Sequence, residues 1–238
     1  MALFAELYDH LFKYPDEHLI EHLVKKNNGP MIDLGCATGR TLRFALRNNI
    51  KAIGVDSDPE MISIAKKKLD REYKGIFELI ESDMREIVAC EKCNVVLCTA
   101  GTLALQHDPN DRELTLKNMV QLLAPNGVAM IWIPNLNSET KREFDQSIEC
   151  PDGTIKFRGF REDDIQKRIR HIKLEIDFKN RFETFVFQTK LIPKETMIRD
   201  LTNVGFSIIN IFGEFDLSPI NDESTAQIYL LRKQKLMS

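Results

Sequence analysis

Residues 31–39, Met31-Ile32-Asp33-Leu34-Gly35-Cys36-Ala37-Thr38-Gly39, contain the strongest indication of the fold. A short apolar run leads here through an acidic residue into a glycine-rich turn, and residues 38–49 follow with apolar side chains at helical spacing. Gly35 and Gly39 lack a Cβ, so the backbone can turn sharply and approach a ligand closely. The following helix would direct its free N–H groups at that ligand. The stretch therefore predicts a strand, a nucleotide-cofactor loop and a helix.

Over the first 134 residues, short apolar runs alternate with amphipathic helical patterns, which predicts a parallel sheet covered on both faces. An extra amphipathic helix is predicted over residues 16–26, and a later helix ends at Gly205. We expect an α/β fold with a Rossmann-like seven-stranded sheet, mostly parallel with an antiparallel last strand, flanked by helices. Its strands are predicted at residues 30–34, 51–55, 76–80, 94–98, 128–133, 206–212 and 225–231.

The pattern changes after Pro134. Residues 135–153 are polar and rich in turn formers, and residues 154–160, 168–178 and 182–191 then alternate apolar and polar side chains with period two. This alternation predicts three antiparallel strands inserted as a small β subdomain. We therefore expect a Rossmann-like domain of residues 1–134 and 193–238, and an inserted subdomain of residues 135–192 that covers the substrate site.

Composition bears on the class of protein. The net charge of −3 over 238 residues gives no overall attraction to nucleic acid or to an anionic membrane. No apolar run approaches the ~20 residues of a membrane span, and the first residues do not resemble a signal peptide, so we expect a cytoplasmic protein. Cys90 and Cys93 have metal-ligand spacing, but no second Cys or His pair completes a site, so no metal is predicted.

Two classes of cofactor fit a strand, a glycine turn and a helix. Asp56 ends the second strand, 21 residues after Gly35, where a carboxylate can accept hydrogen bonds from both hydroxyls of a ribose. A dinucleotide loop has the pattern Gly-x-Gly-x-x-Gly, whereas this loop has its glycines at positions 35 and 39. The carboxylate of Asp33 would repel a pyrophosphate but not a cationic amino-acid cofactor. The loop therefore favours S-adenosylmethionine over a nicotinamide dinucleotide.

Six blocks follow one another in the order of a known family: Ile32–Gly39, Gly54–Met61, Ser82–Met84, Val95–Gly101, Leu122–Val128 and Gly205-Phe206. They resemble the motifs of the class I S-adenosylmethionine-dependent methyltransferases. The resemblance covers residues 16–133 and 193–232. It departs from the family at Ala37, where the family often has Gly, and we expect the extra methyl group to narrow the loop without abolishing binding.

The resemblance implies a role for each cofactor-binding residue. Asp56 would hold the ribose hydroxyls, Ser57 and Met61 would flank the adenine, and Asp83 and Met84 would meet its edge and face. The methionine and ribose side would be lined by Asp33, Gly35, Ala37 and Gly39, and the methionine part also by Cys98, Thr99 and Ala100. The implied cofactor is S-adenosyl-L-methionine, with S-adenosyl-L-homocysteine as the product.

The identity of the methyl acceptor is less constrained. The Asn/Asp-Pro-Pro-Tyr/Phe sequence of amino-methylating nucleic-acid and glutamine enzymes is replaced here by Cys98-Thr99-Ala100-Gly101. The layout resembles the branch that methylates an N or O atom of a small molecule. The candidate catalytic residues are His107, after the fourth strand, and Tyr8, in an aromatic N-terminal segment that would form a lid.

Partners are predicted on the same grounds. We expect a small-molecule acceptor, no membrane or nucleic-acid partner, and a monomer or homodimer. Residues 154–173 carry seven Lys or Arg against three acids. This basic insert leaves an RNA or protein methyltransferase open as an alternative. A non-catalytic protein that binds S-adenosylmethionine is a further alternative.

Overall fold

Eleven strands and six α-helices make up the parts of the chain that the computed structural model describes, residues 3–73, 76–88, 91–136 and 140–234. The strands are β1 Met31–Leu34, β2 Ala52–Asp56, β3 Phe77–Glu81, β4 Cys93–Cys98, β5 Leu123–Pro134, β6 Lys141–Cys150, β7 Gly153–Asp164, β8 Ile169–Phe178, β9 Arg181–Lys190, β10 Phe206–Phe212 and β11 Ala226–Lys233. The helices are α1 Leu3–Leu11, α2 Glu17–Asn27, α3 Leu42–Leu46, α4 Pro59–Glu72, α5 Pro109–Leu122 and α6 Lys194–Asn203.

The central sheet contains seven strands in the order β10-β11-β5-β4-β1-β2-β3. Strands β1 to β5 pair in parallel, while β11 runs antiparallel to both β5 and β10. The predicted Rossmann-like sheet with an antiparallel last strand is confirmed. Because β1 pairs with both β2 and β4, the chain reverses direction across the sheet at β1, and ligands of such sheets bind at this switch point.

Helices begin where the sequence supplies a cap. Asp58 accepts a 2.8 Å hydrogen bond from the N–H of Glu60, and Pro59 occupies the first turn of α4. Asp108 and Pro109 repeat this arrangement at the start of α5. Such caps satisfy N–H groups that a helix leaves unpaired at its first turn. A helix was predicted over residues 38–49, but only residues 42–46 of this range form α3.

The inserted segment forms a second sheet of four antiparallel strands, β6-β7-β8-β9, so the prediction of three strands was wrong. The missed strand is β6, within the segment that we expected to be polar and rich in turns. Its side chains on the inner face begin with Arg142, Phe144 and Gln146, and the two polar members line a cavity instead of the core. The apolar alternation that would have predicted a strand is therefore interrupted.

Helix α1 packs on the inserted sheet. Its buried residues Leu3, Leu7 and Leu11 share one hydrophobic cluster with side chains of β7 and β8, among them Phe157 and Ile176. The N-terminal helix and the inserted sheet thus form one layer over the loops of the central sheet. In the described ranges, no helix is long and apolar enough to cross a membrane. Cys90, one of the two cysteines considered above, lies outside these ranges.

Candidate functional site

A cavity of about 570 Å³ lies where the chain leaves β1, β2, β3 and β4. We call it the loop cavity, and its volume is typical of a small-molecule site. Helix α1 and strand β9 close it from the other side. Its lining residues are Phe4, Ala5, Tyr8, Phe12, Tyr14, Gly35, Ala37, Val55, Asp56, Ser57, Asp58, Met61, Ser82, Asp83, Met84, Ala100, Gly101, Thr102, Leu105, Gln106, Phe185, Val186, Phe187 and Thr189.

The loop after β1 has a strained backbone. Gly35 and Gly39 adopt φ of 78° and 79°, and Ala37 between them adopts 46°. An added Cβ at Gly35 would lie 2.3 Å from Cγ2 of Thr102, so this glycine is required for close packing as well as for its conformation. A left-handed alanine costs about 1–2 kcal/mol, and here its N–H donates a 2.8 Å hydrogen bond to Oδ2 of Asp56.

Asp56 connects the loops after β1 and β2. Its second oxygen accepts a 2.9 Å hydrogen bond from the N–H of Asp58. Burial raises the pKa of Asp56, although the N–H donors of Asp58 and Ala37 act in the opposite direction. The carboxylate is held at the cavity wall by backbone donors, as expected for a group that binds ribose hydroxyls.

Asp33 lies behind the loop and has only 2% of its surface exposed. Its Oδ2 accepts a hydrogen bond from the hydroxyl of Thr41, whereas its buried Oδ1 has no partner among the described residues. Burial raises the pKa of Asp33 to about 7. A buried carboxylate oxygen without a donor favours the approach of a cation or an N–H group.

Asp83 and Met84 line the loop cavity at the end of β3. The guanidinium of Arg85 donates to both oxygens of Asp83, at 2.9 and 2.7 Å, and also pairs with Asp111 at 2.8 Å. These hydrogen bonds lower the pKa of Asp83, which stays ionised. Asp83 is thus fixed in orientation at the cavity wall.

The structure brings most of the predicted cofactor residues to one cavity. Those that line it are Gly35, Ala37, Asp56, Ser57, Met61, Asp83, Met84 and Ala100. Asp33, Gly39, Cys98 and Thr99 do not line it. Cys98 and Thr99 are buried at the end of β4, and Gly39 lies against Ala65 and Leu69 of α4.

The two catalytic candidates are placed differently. Tyr8 lines the loop cavity, and its hydroxyl lies 3.4 Å from that of Tyr14. Burial and the neighbouring Tyr14 raise the pKa of Tyr8 well above its usual range, so it remains a neutral phenol and is unsuited to act as a base. The structure does not bring His107 into the cavity. Its side chain is exposed, and Nε2 lies 3.1 Å from the carbonyl oxygen of Gln188 on β9.

Two carboxylates of the N-terminal segment, those of Asp9 and Asp16, form hydrogen bonds with the region after β1. Arg40 forms a bidentate pair with the buried Asp16, at 2.6 and 2.8 Å, and its guanidinium lies 5.0 Å from the centre of the Tyr14 ring. Asp9 of α1 accepts hydrogen bonds from Thr38, at 2.6 Å, and from Lys68 of α4. These contacts hold the aromatic side chains of the segment over the loop cavity.

A second cavity of about 540 Å³ lies under the inner face of the inserted sheet, and we call it the sheet cavity. It shares part of its wall with the loop cavity, namely Phe12, Tyr14, Ala100, Gly101, Phe187 and Thr189. The remaining lining residues are Leu11, Lys13, Trp132, Pro134, Arg142, Phe144, Gln146, Phe157, Phe160, Arg161, Arg170, Ile172 and Leu174. Because the two cavities have a common wall, ligands bound in them would meet near Ala100 and Gly101.

Sequence reasoning missed the members of both cavities that come from distant segments. Phe4, Gln106 and Phe185 line the loop cavity without belonging to any motif. Residues of the inserted sheet reach the sheet cavity only through tertiary pairing of four strands. In β6, the polar residues Arg142 and Gln146 stand at positions where a strand with one buried face usually has apolar residues. The local sequence of β6 therefore resembles that of a solvated loop.

The residues of the loop cavity fit S-adenosylmethionine. The acids Asp56, Asp58 and Asp83 line it, and none of its described lining residues is cationic. The orphaned oxygen of Asp33 lies behind the same loop. This charge distribution suits a sulfonium cofactor and disfavours a pyrophosphate.

Comparison with known proteins agrees with this geometry. A model of a family described as "Methyltransferase domain" matches residues 31–127, which contain the loop after β1 together with Asp56 and Asp83. A putative methyltransferase, YqeM of Bacillus subtilis, is 21% identical over 240 residues, covering 98% of this chain and 96% of the relative.

A second relative is the dTDP-4-amino-2,3,4,6-tetradeoxy-D-glucose N,N-dimethyltransferase of Saccharopolyspora spinosa. It is 25% identical over 201 residues, covering 83% of this chain and 68% of the relative. Among solved structures, the CcbJ methyltransferase from Streptomyces caelestis superposes with a TM-score of 0.82 at 15% identity, over 98% of this chain and 96% of that chain. The matched segment, the sheet order and the acidic loop cavity agree, and the chain is a class I S-adenosylmethionine-dependent methyltransferase.

Proposed function

We propose that the enzyme methylates a nitrogen or oxygen atom of a small-molecule acceptor bound in the sheet cavity. The observation that carries this proposal is the common wall between the two cavities. It would let an acceptor reach the donor without leaving a site enclosed by α1 and the inserted sheet. A volume of about 540 Å³ suits a metabolite.

The chain's own residues would act mainly by binding and orientation. The cofactor supplies an electrophilic methyl group on a sulfonium, which already has a good leaving group. Asp56 and the loop after β1 would hold the donor, and the aromatic residues Tyr8, Phe12 and Tyr14 would exclude water from the shared wall. Proximity and alignment can account for a large part of the rate acceleration in such a transfer.

We favour the nitrogen of a neutral amine as the acceptor atom. Transfer forms a C–N bond as the C–S bond breaks, and the acceptor nitrogen then releases its proton to solvent. This requires no general base within the site, in keeping with the raised pKa of Tyr8 and the exposed position of His107. The name of the Saccharopolyspora relative, an N,N-dimethyltransferase, supports nitrogen as well.

The basic insert gives weaker support to an RNA or protein substrate. Its cationic side chains divide between the two faces of the inserted sheet. On the outer face, Arg158 pairs with Asp145 at 2.6 Å and Lys173 with Glu175 at 2.6 Å. The inner face turns Arg161 and Arg170 towards the sheet cavity. Because the cationic side chains are divided in this way, they do not form the continuous basic surface that binds a nucleic-acid backbone.

The test incubates the enzyme and labelled S-adenosylmethionine with a cell extract separated into small molecules, RNA and protein. We expect the small-molecule fraction to gain the methyl label. The Asp56→Asn variant, with a weakened donor site, serves as the control and should give little label. Label found only in RNA or protein, or in no fraction, would contradict the proposal.

A further inference from the structure

The two cavities carry opposite charge. Acids line the loop cavity, as described, whereas the cationic residues Lys13, Arg142, Arg161 and Arg170 line the sheet cavity. None of the described lining residues of the sheet cavity is acidic. A cavity with walls of low polarity concentrates the field of such groups, so it attracts anions. A cationic cofactor would not account for the basic end of the site.

The strand register locates the basic groups relative to the shared wall. Phe187 of β9 lies in that wall, and its partner on β8 is Ile172. Ile172 pairs with Arg161 on β7, which pairs in turn with Arg142 on β6. Since neighbouring strands lie about 4.8 Å apart, the two arginines begin roughly 10 and 14 Å from Phe187. An apolar stretch thus separates the cationic groups from the place of methyl transfer.

The arginines differ in how their charge is balanced. Arg170 is buried and forms a bidentate pair with Asp163, with both hydrogen bonds at 2.8 Å, so its charge is neutralised within the protein. Arg142 forms no ion pair with any described residue. It lies directly opposite Arg161 across the β6–β7 ladder, and both side chains line the sheet cavity. The two guanidinium groups can therefore reach the same anion in the cavity.

We propose that the acceptor carries an anionic group, a carboxylate or a phosphate, which binds Arg142 and Arg161 at the far end of the sheet cavity. The methylated atom and this group would then stand at opposite ends of the acceptor, separated by roughly 10 Å. Phe144, Ile172 and Leu174 form the apolar part of the cavity between them. Planar guanidinium groups suit this task because each can bind two oxygens of the anion at once. This inference rests on the proposed function.

The test divides the small-molecule fraction of the extract on an anion exchanger at neutral pH, before each part is incubated with enzyme and labelled S-adenosylmethionine. We expect the label in the retained part. Pretreatment with a phosphatase and a phosphodiesterase should abolish labelling of retained compounds if the anion is a phosphate, and leave it unchanged if it is a carboxylate.

Label in the unretained part alone would overturn the anionic acceptor while leaving the proposed function intact. Label in neither part would overturn the proposed function and the inference with it. The two failures are therefore distinguishable.

A pair of variants tests the assigned residues. Arg142→Gln should raise the amount of retained fraction needed for half-maximal methylation about tenfold, since charge-assisted hydrogen bonds are lost. Arg158→Gln is the matched control, because it removes the same charge from the outer face of β7 and breaks only an exposed ion pair. It should change this amount by less than about twofold. Equal effects of the two variants would overturn the assignment.

Discussion

The loop cavity and the sheet cavity share a wall but differ in charge and in construction. The loop cavity is acidic and is formed largely by the chain segments that follow four neighbouring parallel strands. The sheet cavity is basic and aromatic, and it is formed by alternate residues of antiparallel strands together with the segment after α1. The difference supports the proposal that the loop cavity would bind a cationic donor, while the sheet cavity would bind an acceptor with different chemistry.

The largest effect is expected from the carboxylate of the loop cavity. Asp56→Asn keeps the size of the side chain but removes the charge that two ribose hydroxyls would contact. We expect kcat/KM for S-adenosylmethionine to fall about 100-fold, because hydrogen bonds to charged groups contribute about 1.5–3 kcal/mol each. Steady-state kinetics with varied cofactor would measure this. Asp145→Asn, on the exposed outer face of β6, is the control and should leave kcat/KM unchanged. A loss below about threefold would refute the role of Asp56.

Gly35 in the loop after β1 and Gly205 between α6 and β10 both have positive φ, and their alanine variants can be compared. Gly35→Ala adds a Cβ that collides with Thr102, whereas Gly205→Ala, at φ of 101°, meets nothing within 4 Å. We expect a loss of about 1–2 kcal/mol in the free energy of unfolding for Gly205→Ala, from backbone strain alone. Gly35→Ala should lose about 1–3 kcal/mol more. Urea denaturation without cofactor checks both, and equal losses would show that the contact with Thr102 is unimportant.

The raised pKa of Asp33 leads us to expect opposite pH dependences for protein stability and for cofactor affinity. Its pKa near 7 in the folded protein exceeds that of an unfolded aspartate, so the stabilisation that it provides is full at low pH and is lost as pH rises through 7. A cationic cofactor should bind its ionised form better, so cofactor affinity should rise over the same range, by no more than about tenfold per pH unit.

Denaturation and cofactor titration between about pH 4 and pH 8 would measure both slopes, because most of the range between the unfolded and folded pKa values of Asp33 lies within this window. Burial raises the pKa of Asp56 as well, so a part of the rise in affinity would remain in Asp33→Asn. If Asp33→Asn left both slopes unchanged, Asp33 would not be the titrating group.

The smallest effect is expected at Tyr8, which lines the loop cavity next to Tyr14 of the shared wall. Tyr8→Phe removes a hydroxyl that lies 3.4 Å from that of Tyr14. Because a neutral hydrogen bond contributes about 0.5–1.5 kcal/mol, KM for the cofactor or the acceptor should rise about two- to tenfold, with kcat nearly unchanged. Kinetics with each substrate varied in turn would separate the two. A large fall in kcat with an altered pH profile would instead identify Tyr8 as a base.

The same two regions explain what could be predicted from the sequence. The central sheet follows from buried apolar runs bounded by turn signals, and its loops bring Asp56, Asp83 and Ala37 together because parallel strands end at one edge. The sheet cavity depends on pairing between distant strands. Arg142 and Gln146 interrupt the apolar pattern of β6 because they face a cavity, so the strand was missed. His107 was proposed from its position after β4, but its contact with Gln188 holds it outside the loop cavity.

We propose that donor and acceptor occupy separate cavities with a common wall. Calorimetric titration of S-adenosylmethionine into the wild type and into the Asp56→Asn and Arg142→Gln variants would test this separation. We expect Asp56→Asn to weaken cofactor binding by at least about tenfold and Arg142→Gln to change it by less than about twofold. Equal weakening in both variants, or unchanged binding in Asp56→Asn, would contradict the proposed separation.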